Sequence, residues 1–575
     1  MTTLPFISRR STVYGTHAIV SSSQPLATQA GIEILKKGGN AADAAVAVAA
    51  ALNVTEPGST GIGGDAFCLF YDAKSCTVKG LNGSGRTPAS LTLSHLREKE
   101  GVSGYVLPSD SIHAVTVPGA AAAWVDTVEH FGSGKLDLSS ILAPAIELAE
   151  HGFPVSHISA NGWKAEAKKL LETNPNQEKN EWLIDNKRAP EEGEIMSIPT
   201  LAETFRTLGA EGKKGFYQGR IGHSIIDAVQ SRGGLMTLDD LAQHTSELLE
   251  PISFDYHDWT VWEIPPNGQG ITALLALGII EALEEAGRID FSKIEHNSAE
   301  YIHIVSEALR IAFADTRYYV ADPQVQPVPT EALLSKEYLR ERAKLFDPSK
   351  RNEHIIKGYP EENGNTVYLS IVDQEGNACS FINSTFMHFG SHIIADNTGV
   401  VLHNRGCNFV LIEDHPNCIA PSKRPYHTII PSMITRKTDH GHDLEACFGV
   451  MGAFMQPQGQ VQVVLNMKHY LSNPQHALDL PRLCIAPPKN NPRMTANAYS
   501  FTEVKDSVIY LEDGITKETI QGLEAKGHTC YTLHNHARAM FGRGQIIRSK
   551  VDKRTGHRVL AAGSDPRGDG CATGW

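Results

Sequence analysis

One threonine, Thr366, stands where a polar segment gives way to an apolar run. Residues 357–365 carry glycine, proline, glutamate and asparagine, as an exposed loop would, and Thr366–Asp373 has the content of a β-strand. Gly376 can form a turn that returns the chain as Ala378–Ile382, the second strand of a hairpin. A threonine hydroxyl needs an adjacent base before it is a useful nucleophile. On spacing alone, this segment is more typical of an ordinary hairpin than of a catalytic site.

Other chemistry has weaker support. The pairs His440/His442 and His534/His536 have the spacing of metal ligands, but both lie in polar, turn-like sequence and are more typical of surface histidines. No metal site is therefore predicted. The sequence has neither a P-loop nor a G-x-S-x-G motif, so phosphoryl transfer and serine hydrolase chemistry are not supported. Asp565 and Asp569 are interpreted as residues of a C-terminal turn.

Composition sets the class of protein. The 575 residues include 52 basic and 65 acidic side chains, a net charge of −13, and 41% are apolar. This composition predicts a globular protein with no nucleic-acid partner, because nucleic-acid surfaces need clustered positive charge. The most apolar stretch, residues 41–54, is too short to span a bilayer, so no membrane partner is expected. Nine cysteines without a C-x-x-C pair, and no signal-peptide pattern at the N-terminus, indicate a reducing, cytoplasmic location.

The elements that would position the hairpin change character along the chain. Leu26–Lys37 and Ala41–Leu52 are predicted helices, and the glycine-rich run Gly58–Asp65 separates them from two strands. Because these glycines follow a helix and precede a strand, the reverse of the order in dinucleotide sites, we expect no nucleotide there. Residues 120–350 look mainly helical, and several later stretches, including Ile393–His403, suggest strands.

Many short blocks, in order along nearly the whole chain, resemble the γ-glutamyltranspeptidase family. They surround Thr366 and recur in both halves of the sequence: Gly38–Ala44, Glu56-Pro57, Gly61–Gly64, Val117–Gly119, Thr366–Asp373, Gly376-Asn377, Phe389–Ser391, Thr398–Leu402, Asn404, Phe409, Lys423–Pro425, Gln462-Val463, Pro481-Arg482 and Gly563–Gly570.

The resemblance implies an N-terminal nucleophile hydrolase. The fold would be α+β, a four-layer αββα sandwich, and the precursor would cut itself between Asn365 and Thr366. Residues 1–365 would form a helix-rich large subunit and residues 366–575 a small subunit carrying the nucleophile, both within one structural domain. Cleavage would free the α-amino group of Thr366, whose ordinary pKa of about 7.7–8.0 suits a base beside the hydroxyl.

The resemblance also assigns catalytic roles. Ser384 matches a threonine that hydrogen-bonds the nucleophile. The tetrahedral oxyanion would be bound by the backbone N–H of Gly452, with Ala453 in place of the family's second glycine, and by the tandem hydroxyl positions, which here are His427 and Thr428. Without the resemblance, Gly452 is more typical of a turn and His427 of a buried, satisfied histidine.

The substrate pocket departs from the γ-glutamyl pattern. The acidic residue and asparagine that bind the donor's α-ammonium group are replaced by Asn408 and Phe386, and Arg405 stands where a glutamine is usual. The arginine expected for the α-carboxylate aligns with Ser84, although Arg86 lies two residues further on. Arg86, Arg405, Lys423 and Arg424 together predict a cationic pocket that favours a carboxylate and needs no amine.

These departures are most similar to the branch of the family that includes oxamate amidohydrolase. The predicted function is amide hydrolysis, with transfer to an amine as a variant, on a small carboxylate-bearing amide such as oxamate. Three alternatives stay open: a γ-glutamyl hydrolase or transpeptidase acting on glutathione, an acylase on other N-acyl compounds, and an unprocessed pseudoenzyme. No cofactor is expected, and the partners would be the amide substrate, the two subunits of the cut chain and, as an open question, further copies of that heterodimer.

Overall fold

The computed structural model describes residues 10–175, 180–355, 365–488 and 507–575, with the backbone alone for Asn365 and Thr366. Most of the predicted loop, residues 357–364, lies outside them. The helices are α1 Pro25–Lys36, α2 Ala41–Thr55, α3 Leu93–Glu98, α4 Ala120–Phe131, α5 Leu138–His151, α6 His157–Thr173, α7 Pro199–Tyr217, α8 Arg220–Gln230, α9 Leu238–Ala242, α10 Gly270–Glu285, α11 Ala299–Tyr319, α12 Thr330–Leu333, α13 Lys336–Ala343, α14 Met455–Lys468, α15 Pro474–Asp479 and α16 Lys517–Ala525.

The strands fall into two large sheets and three small ones. They are β1 Val13–Gly15, β2 Ile19–Ser22, β3 Asp65–Asp72, β4 Thr77–Gly83, β5 Phe153–Pro154, β6 Ile195–Met196, β7 Glu247–Leu249, β8 Ile252–Tyr256, β9 Trp259–Glu263, β10 Asn365–Val372, β11 Ala378–Phe386, β12 Ile394–Ala395, β13 Val400–Val401, β14 Ser432–Thr438, β15 Gly441–Met451, β16 Leu483–Ala486, β17 Val508–Glu512, β18 Cys530–Leu533, β19 Arg543–Val551, β20 Arg558–Ser564 and β21 Cys571–Gly574.

Each large sheet has seven antiparallel strands. The first has the order β1-β20-β19-β15-β14-β9-β8, and the second has the order β21-β2-β10-β11-β3-β4-β7. Side chains such as Phe67, Tyr368, Ile382, Met433 and Ile547 fill the space between the two sheets. The sheets therefore pack face to face around a shared apolar core.

Helices cover the outer face of each sheet. Alternate residues of β10, Val367, Leu369 and Ile371, face away from the first sheet and pack in a cluster with α1, α2, α4 and α5. On the other side, α10, α11 and α14 pack on the outward side chains of β14 and β15, including Ile434 and Phe448. The layers are thus helix, sheet, sheet, helix, which confirms the predicted αββα architecture.

The sequence explains how α2 enters this packing. Asn40 accepts hydrogen bonds from the backbone N–H groups of Ala42 and Asp43, while the Asp43 carboxylate accepts from the Asn40 N–H, a complete capping box. The 15 residues of the helix are all buried and mostly alanine or valine. Small side chains on every face allow α2 to contact α1 on one side and β10 and β11 on the other.

The structure refines one prediction about the elements and corrects another. The stretch 120–350 is mainly helical, as expected, and it also contains β8 and β9, which form the edge of the first sheet. The single strand expected at Ile393–His403 is instead the short pair β12 and β13. The chain reverses between them because Asn397 and Gly399 adopt positive φ values of 56° and 69°.

Both halves of the chain build both sheets. Strands β8 and β9 join β14, β15, β19 and β20 in the first sheet, while β2, β3 and β4 flank β10 and β11 in the second. The half before Thr366 is therefore not only a helical layer. None of the described helices combines the length and apolar character that a membrane span requires.

Candidate active site

The backbone places Thr366 at an irregularity in the centre of the second sheet. Strand β10 lies between β2 and β11, and its register with β11 pairs Asn365 with Phe386 and Val367 with Asn383. Thr366 alone therefore lies opposite two residues, Ser384 and Thr385, as in a β-bulge. The bulge brings the predicted nucleophile and Ser384 to the same point of the sheet.

The strand end at Ser384 is held by local hydrogen bonds. The Ser384 Oγ accepts a hydrogen bond of 2.8 Å from the Phe386 N–H. Phe386 itself has a φ of 76°, a left-handed conformation that is unusual for a bulky residue and is often found at functional sites. The chain therefore turns sharply directly after the residues that face Thr366.

The glycine run before β3 passes close to this strand end. A Cβ atom on Gly64 would lie 2.2 Å from the Ser384 carbonyl oxygen, and one on Gly63 would lie 2.2 Å from that of Val401. The Asn383 side chain donates to Thr60 Oγ1 and to the Gly61 carbonyl oxygen, at 2.8 and 3.0 Å. The glycines therefore serve close backbone packing beside the predicted nucleophile.

Asp65, the first residue of β3, joins several segments at the site. One carboxylate oxygen accepts from the N–H groups of Gly85 and Gly119, and the other lies 2.9 Å from His427 Nε2. His403 Nδ1 and Arg405 Nε lie 3.6 and 4.0 Å from the same oxygen. All the side chains of this set are fully buried.

Burial and the neighbouring charges together set the charge states of these groups. It lowers the pKa of His427 to about 3, with the charge of Arg405 acting in the same direction and Asp65 opposing it. Burial alone would raise the pKa of Asp65. Three neighbours outweigh it and hold that pKa below its usual range: the charge of His403, the hydrogen bond that His427 donates, and the charge of Arg405. The site at neutral pH thus contains an ionised Asp65 and a neutral His427.

The His427 ring is occupied on both nitrogens. Nε2 donates to Asp65, and Nδ1 accepts from the Ile429 N–H at 3.4 Å. A ring with both nitrogens engaged has no N–H to offer an oxyanion, which matches the buried, satisfied histidine. We therefore propose that His427 positions the segment that carries Thr428.

Gln269 connects that segment to the predicted oxyanion loop. Its Nε2 donates to the carbonyl oxygens of Thr428 and Ala453, at 2.7 and 2.8 Å. Its backbone N–H donates to the carbonyl oxygen of His427. Gly452 and Ala453 follow β15 with φ values of 126° and 48°. One buried amide thus holds Thr428 beside the Gly452 turn.

Arg405 is fully buried beside Thr428 and Phe386. Its Nη1 donates to Thr428 Oγ1 at 2.5 Å, and its guanidinium carbon lies 4.5 Å from the centre of the Phe386 ring. Its Nε and Nη2 have no hydrogen-bond partner among the described residues, and neither has Nδ2 of Asn408, at the other end of the same 3₁₀ turn, Arg405–Asn408. Burial lowers the pKa of Arg405 to about 10, so it stays charged at neutral pH.

The other predicted cations do not join Arg405 in this way. Arg86 is half-buried and donates to Gln324 at 2.7 Å. Lys423 donates to two backbone carbonyl oxygens, and Arg424 pairs with Glu247 at 2.5 Å. Ser84, at the aligned arginine position, accepts from Asn267. Of the four predicted cations, Arg405 is thus the one with buried side-chain nitrogens that lack a partner among the described residues, and the anionic Asp65 lies beside it.

Three residues of this site escaped the sequence reasoning: Asp65, His403 and Gln269. Asp65 had a usable signal, since it is a lone acid between a glycine run and an apolar strand. His403 and Gln269 act through contacts with segments far away in sequence, and no local pattern marks them. The predicted surface character of the His-x-His pairs agrees with the exposure of His440, His534 and His536, whereas His442 is half-buried, with its Nδ1 2.9 Å from Thr435 Oγ1.

A four-layer αββα sandwich built on two antiparallel sheets is the architecture of the N-terminal nucleophile hydrolases, and this chain is an enzyme of that class. It belongs to the γ-glutamyltranspeptidase family, whose family model, Gamma-glutamyltranspeptidase, matches residues 27–575. The predicted family is thereby confirmed, and with it an amide hydrolase or acyltransferase function.

Named relatives cover almost the full chain. The glutathione hydrolase-like YwrD proenzyme of Bacillus subtilis is 35% identical, over 98% of this chain and 99% of that protein. The oxamate amidohydrolase proenzyme of Klebsiella pneumoniae is 30% identical, over 97% and 99%. The crystal structure of cephalosporin acylase from Bacillus halodurans superposes with a TM-score of 0.83 and 39% identity, over 100% of this chain and 99% of that one.

Proposed function

We propose that the enzyme cuts itself between Asn365 and Thr366 and then hydrolyses amides through an ester on Thr366. The hydroxyl would attack the amide carbonyl carbon, and its proton would pass through the new α-amino group to the departing amine. Water would then attack the ester and release the acid. The position of Thr366 in the bulge opposite Ser384, and the proenzyme names of two relatives, support this proposal.

The oxyanion of each tetrahedral intermediate would bind between Gly452 and Thr428. The Gly452 N–H would donate from the turn after β15, and the Thr428 hydroxyl would donate from the opposite side. Because Thr428 Oγ1 already accepts from the Arg405 guanidinium, its own proton is polarised towards a bound oxyanion. Gln269 would keep the two donors at a fixed separation.

The acyl group that fits is a small one bearing a carboxylate, such as that of oxamate. The observation that carries this proposal is the set of buried donors without acceptors on the Arg405–Asn408 turn. A carboxylate accepts hydrogen bonds from two guanidinium nitrogens in one plane, and a carboxylate here would satisfy the charge of Arg405. Oxamate would give ammonia and oxalate.

A γ-glutamyl donor meets a less favourable environment, because its α-ammonium group needs an acceptor. Asp65 is the acid within ion-pair distance of Arg405 among the described residues, and its oxygens already accept from Gly85, Gly119 and His427. The second candidate is nevertheless glutathione hydrolysis, favoured by the 35% identity to the glutathione hydrolase-like relative.

A denaturing gel tests maturation. Purified protein is expected to give fragments of residues 1–365 and 366–575, about 40 and 23 kDa in proportion to the 62.5 kDa chain, and Thr366→Ala is expected to give one full-length band. A full-length band from both proteins after long incubation would favour the unprocessed pseudoenzyme.

A substrate panel tests specificity. Ammonia release from oxamate and amine release from γ-glutamyl anilide and a cephalosporin amide would be measured for the mature enzyme, with Thr366→Ala as the blank. The highest kcat/KM is expected for oxamate. Turnover of γ-glutamyl anilide with oxamate at the blank rate would refute the specificity proposal and leave the maturation proposal intact.

A further inference from the structure

Three side chains that the proposed chemistry does not use converge behind the substrate pocket. His95 lies in α3, Glu100 follows its C-terminal end, and His113 lies in the 3₁₀ turn Ile112–Ala114. Glu100 Oε1 is 3.3 Å from His95 Nε2 and 3.6 Å from His113 Nε2. The three ligand atoms all lie within 4.8 Å of one another.

The two imidazole nitrogens are buried and unsatisfied. Neither Nε2 atom has a hydrogen-bond partner among the described residues, and the His113 side chain is only 3% exposed. Burying such a nitrogen without a partner costs free energy.

Two other clusters of the same composition differ on this point. In the first, His257 Nε2 lies 3.1 Å from Glu284, and His469 Nε2 is bonded to the Tyr256 hydroxyl at 2.6 Å. In the second, His303 is bonded to His528 and to a backbone carbonyl oxygen. The ring nitrogens named in these two clusters already have partners, so His95, Glu100 and His113 form the cluster whose ligand atoms are available.

We propose that His95, Glu100 and His113 form a binding site for a divalent transition-metal ion of the zinc type. Two imidazoles and one carboxylate are ligands that zinc commonly uses. Zinc bonds of about 2.0–2.1 Å in a tetrahedron put neighbouring ligand atoms about 3.3 Å apart, close to both nitrogen–oxygen distances here. Glu100 is 40% exposed and lies at the mouth of the site, where water would complete the coordination of a bound ion.

The site is coupled to the substrate pocket by packing. The turn that carries His113 contacts the 3₁₀ turn Arg405–Asn408, and a Cβ atom on Gly406 would lie 2.8 Å from the Ala114 carbonyl oxygen. A bound ion would therefore link α3 to the wall that holds Arg405 and Asn408. The ion would hold this wall in place and take no part in the chemistry at Thr366.

Metal binding is measured on the whole enzyme, without a histidine tag, after treatment with a chelator and dialysis. Isothermal titration with Zn²⁺ is expected to show one site, and Co²⁺ is expected to give the visible absorption of a tetrahedral complex. The temperature of unfolding should rise with Zn²⁺ concentration. His95→Gln and His113→Gln should each abolish the site and the rise, whereas His469→Gln, from a cluster with satisfied nitrogens, should leave both unchanged.

His95 is partly exposed, so His95→Gln provides the test if His113→Gln does not fold. Absence of any binding heat in the Zn²⁺ titration of the chelator-treated enzyme would overturn the proposal. Equal binding by His95→Gln and the unchanged enzyme would overturn it as well. Because binding and unfolding are measured without substrate, the result is independent of the reaction proposed at Thr366.

Discussion

The Asp65 carboxylate and the His427 imidazole meet at 2.9 Å in the buried centre of the molecule, although they are 362 positions apart and lie on opposite sides of the Asn365–Thr366 bond. The contact fixes the segment that carries Thr428 to the start of β3, next to the glycine run that packs on Ser384. The half of the chain before Thr366 therefore positions part of the proposed catalytic machinery that the other half carries.

Asp65→Asn is expected to destabilise the protein strongly. The change removes a buried negative charge that faces Arg405 and accepts three hydrogen bonds, and breaking a buried charge pair costs about 3–5 kcal/mol. Urea unfolding would measure the loss. Asp72→Asn, at the half-buried end of the same strand, is the control and should change stability by less than about 1 kcal/mol. Equal stability of the two variants would show that Arg405 needs no counter-charge.

Arg405→Gln is expected to lower kcat/KM for oxamate at least about 100-fold, since each hydrogen bond to a charged group contributes about 1.5–3 kcal/mol and two would be lost. Arg86→Gln is the control, because that side chain is half-buried and bonded to Gln324. Steady-state ammonia release gives both values. The same loss in the Arg86 variant would mean that the pocket is cationic as a whole.

Gln269→Leu is expected to lower kcat about 100-fold with little change in KM. The segments that carry Thr428 and Ala453 would lose their shared hydrogen-bond donor, and the groups that bind the oxyanion would no longer be aligned with it. Gln462→Leu is a matched control: that buried amide also donates to two backbone carbonyl oxygens, those of Gln458 and Leu483. Both variants should lose similar stability in urea. A similar kcat for the two would leave Gln269 a purely structural role.

Acid should destabilise the folded protein through His427. In the unfolded chain the ring takes up a proton near pH 6.5, whereas in the folded protein its pKa is about 3. Between these values the unfolded state binds more protons, so the free energy of unfolding falls as pH decreases, by about 1.4 kcal/mol per pH unit for one group.

His427→Gln removes this titration and should reduce the slope of stability between pH 6.5 and 4 by about one proton. Urea unfolding at three pH values would measure it, with His440→Gln as the control because the His440 ring is exposed to solvent. An unchanged slope in His427→Gln would mean that the ring is protonated in the folded state.

Sequence patterns correctly predicted the elements that depend on interactions between residues close together in the chain. The Asn40 cap, the small residues of α2 and the hairpin after Thr366 are each encoded within about twenty residues, and the structure contains them. The predicted cationic pocket depended instead on where distant backbone lies. Lys423 donates hydrogen bonds to carbonyl oxygens, and Arg424 pairs with Glu247. The sequence alone does not show which of the basic side chains will have acceptors within the protein.

The αββα layers were predictable because members of one protein family share the same overall fold. The contacts of Gln269 were not, since they depend on three segments that meet only in the folded chain. The side-chain geometry at Thr366 itself remains a prediction.

The alternation of strands from both halves within both sheets has a consequence for renaturation. Once the Asn365–Thr366 bond is broken, refolding from denaturant becomes a second-order reaction of two chains, because β10 and β11 must insert between β2 and β3 of the other fragment. The uncut Thr366→Ala chain keeps these strands tethered and refolds at a rate independent of concentration. If the proposed cut occurs, the two chains of the mature enzyme must therefore be assembled while they are still one.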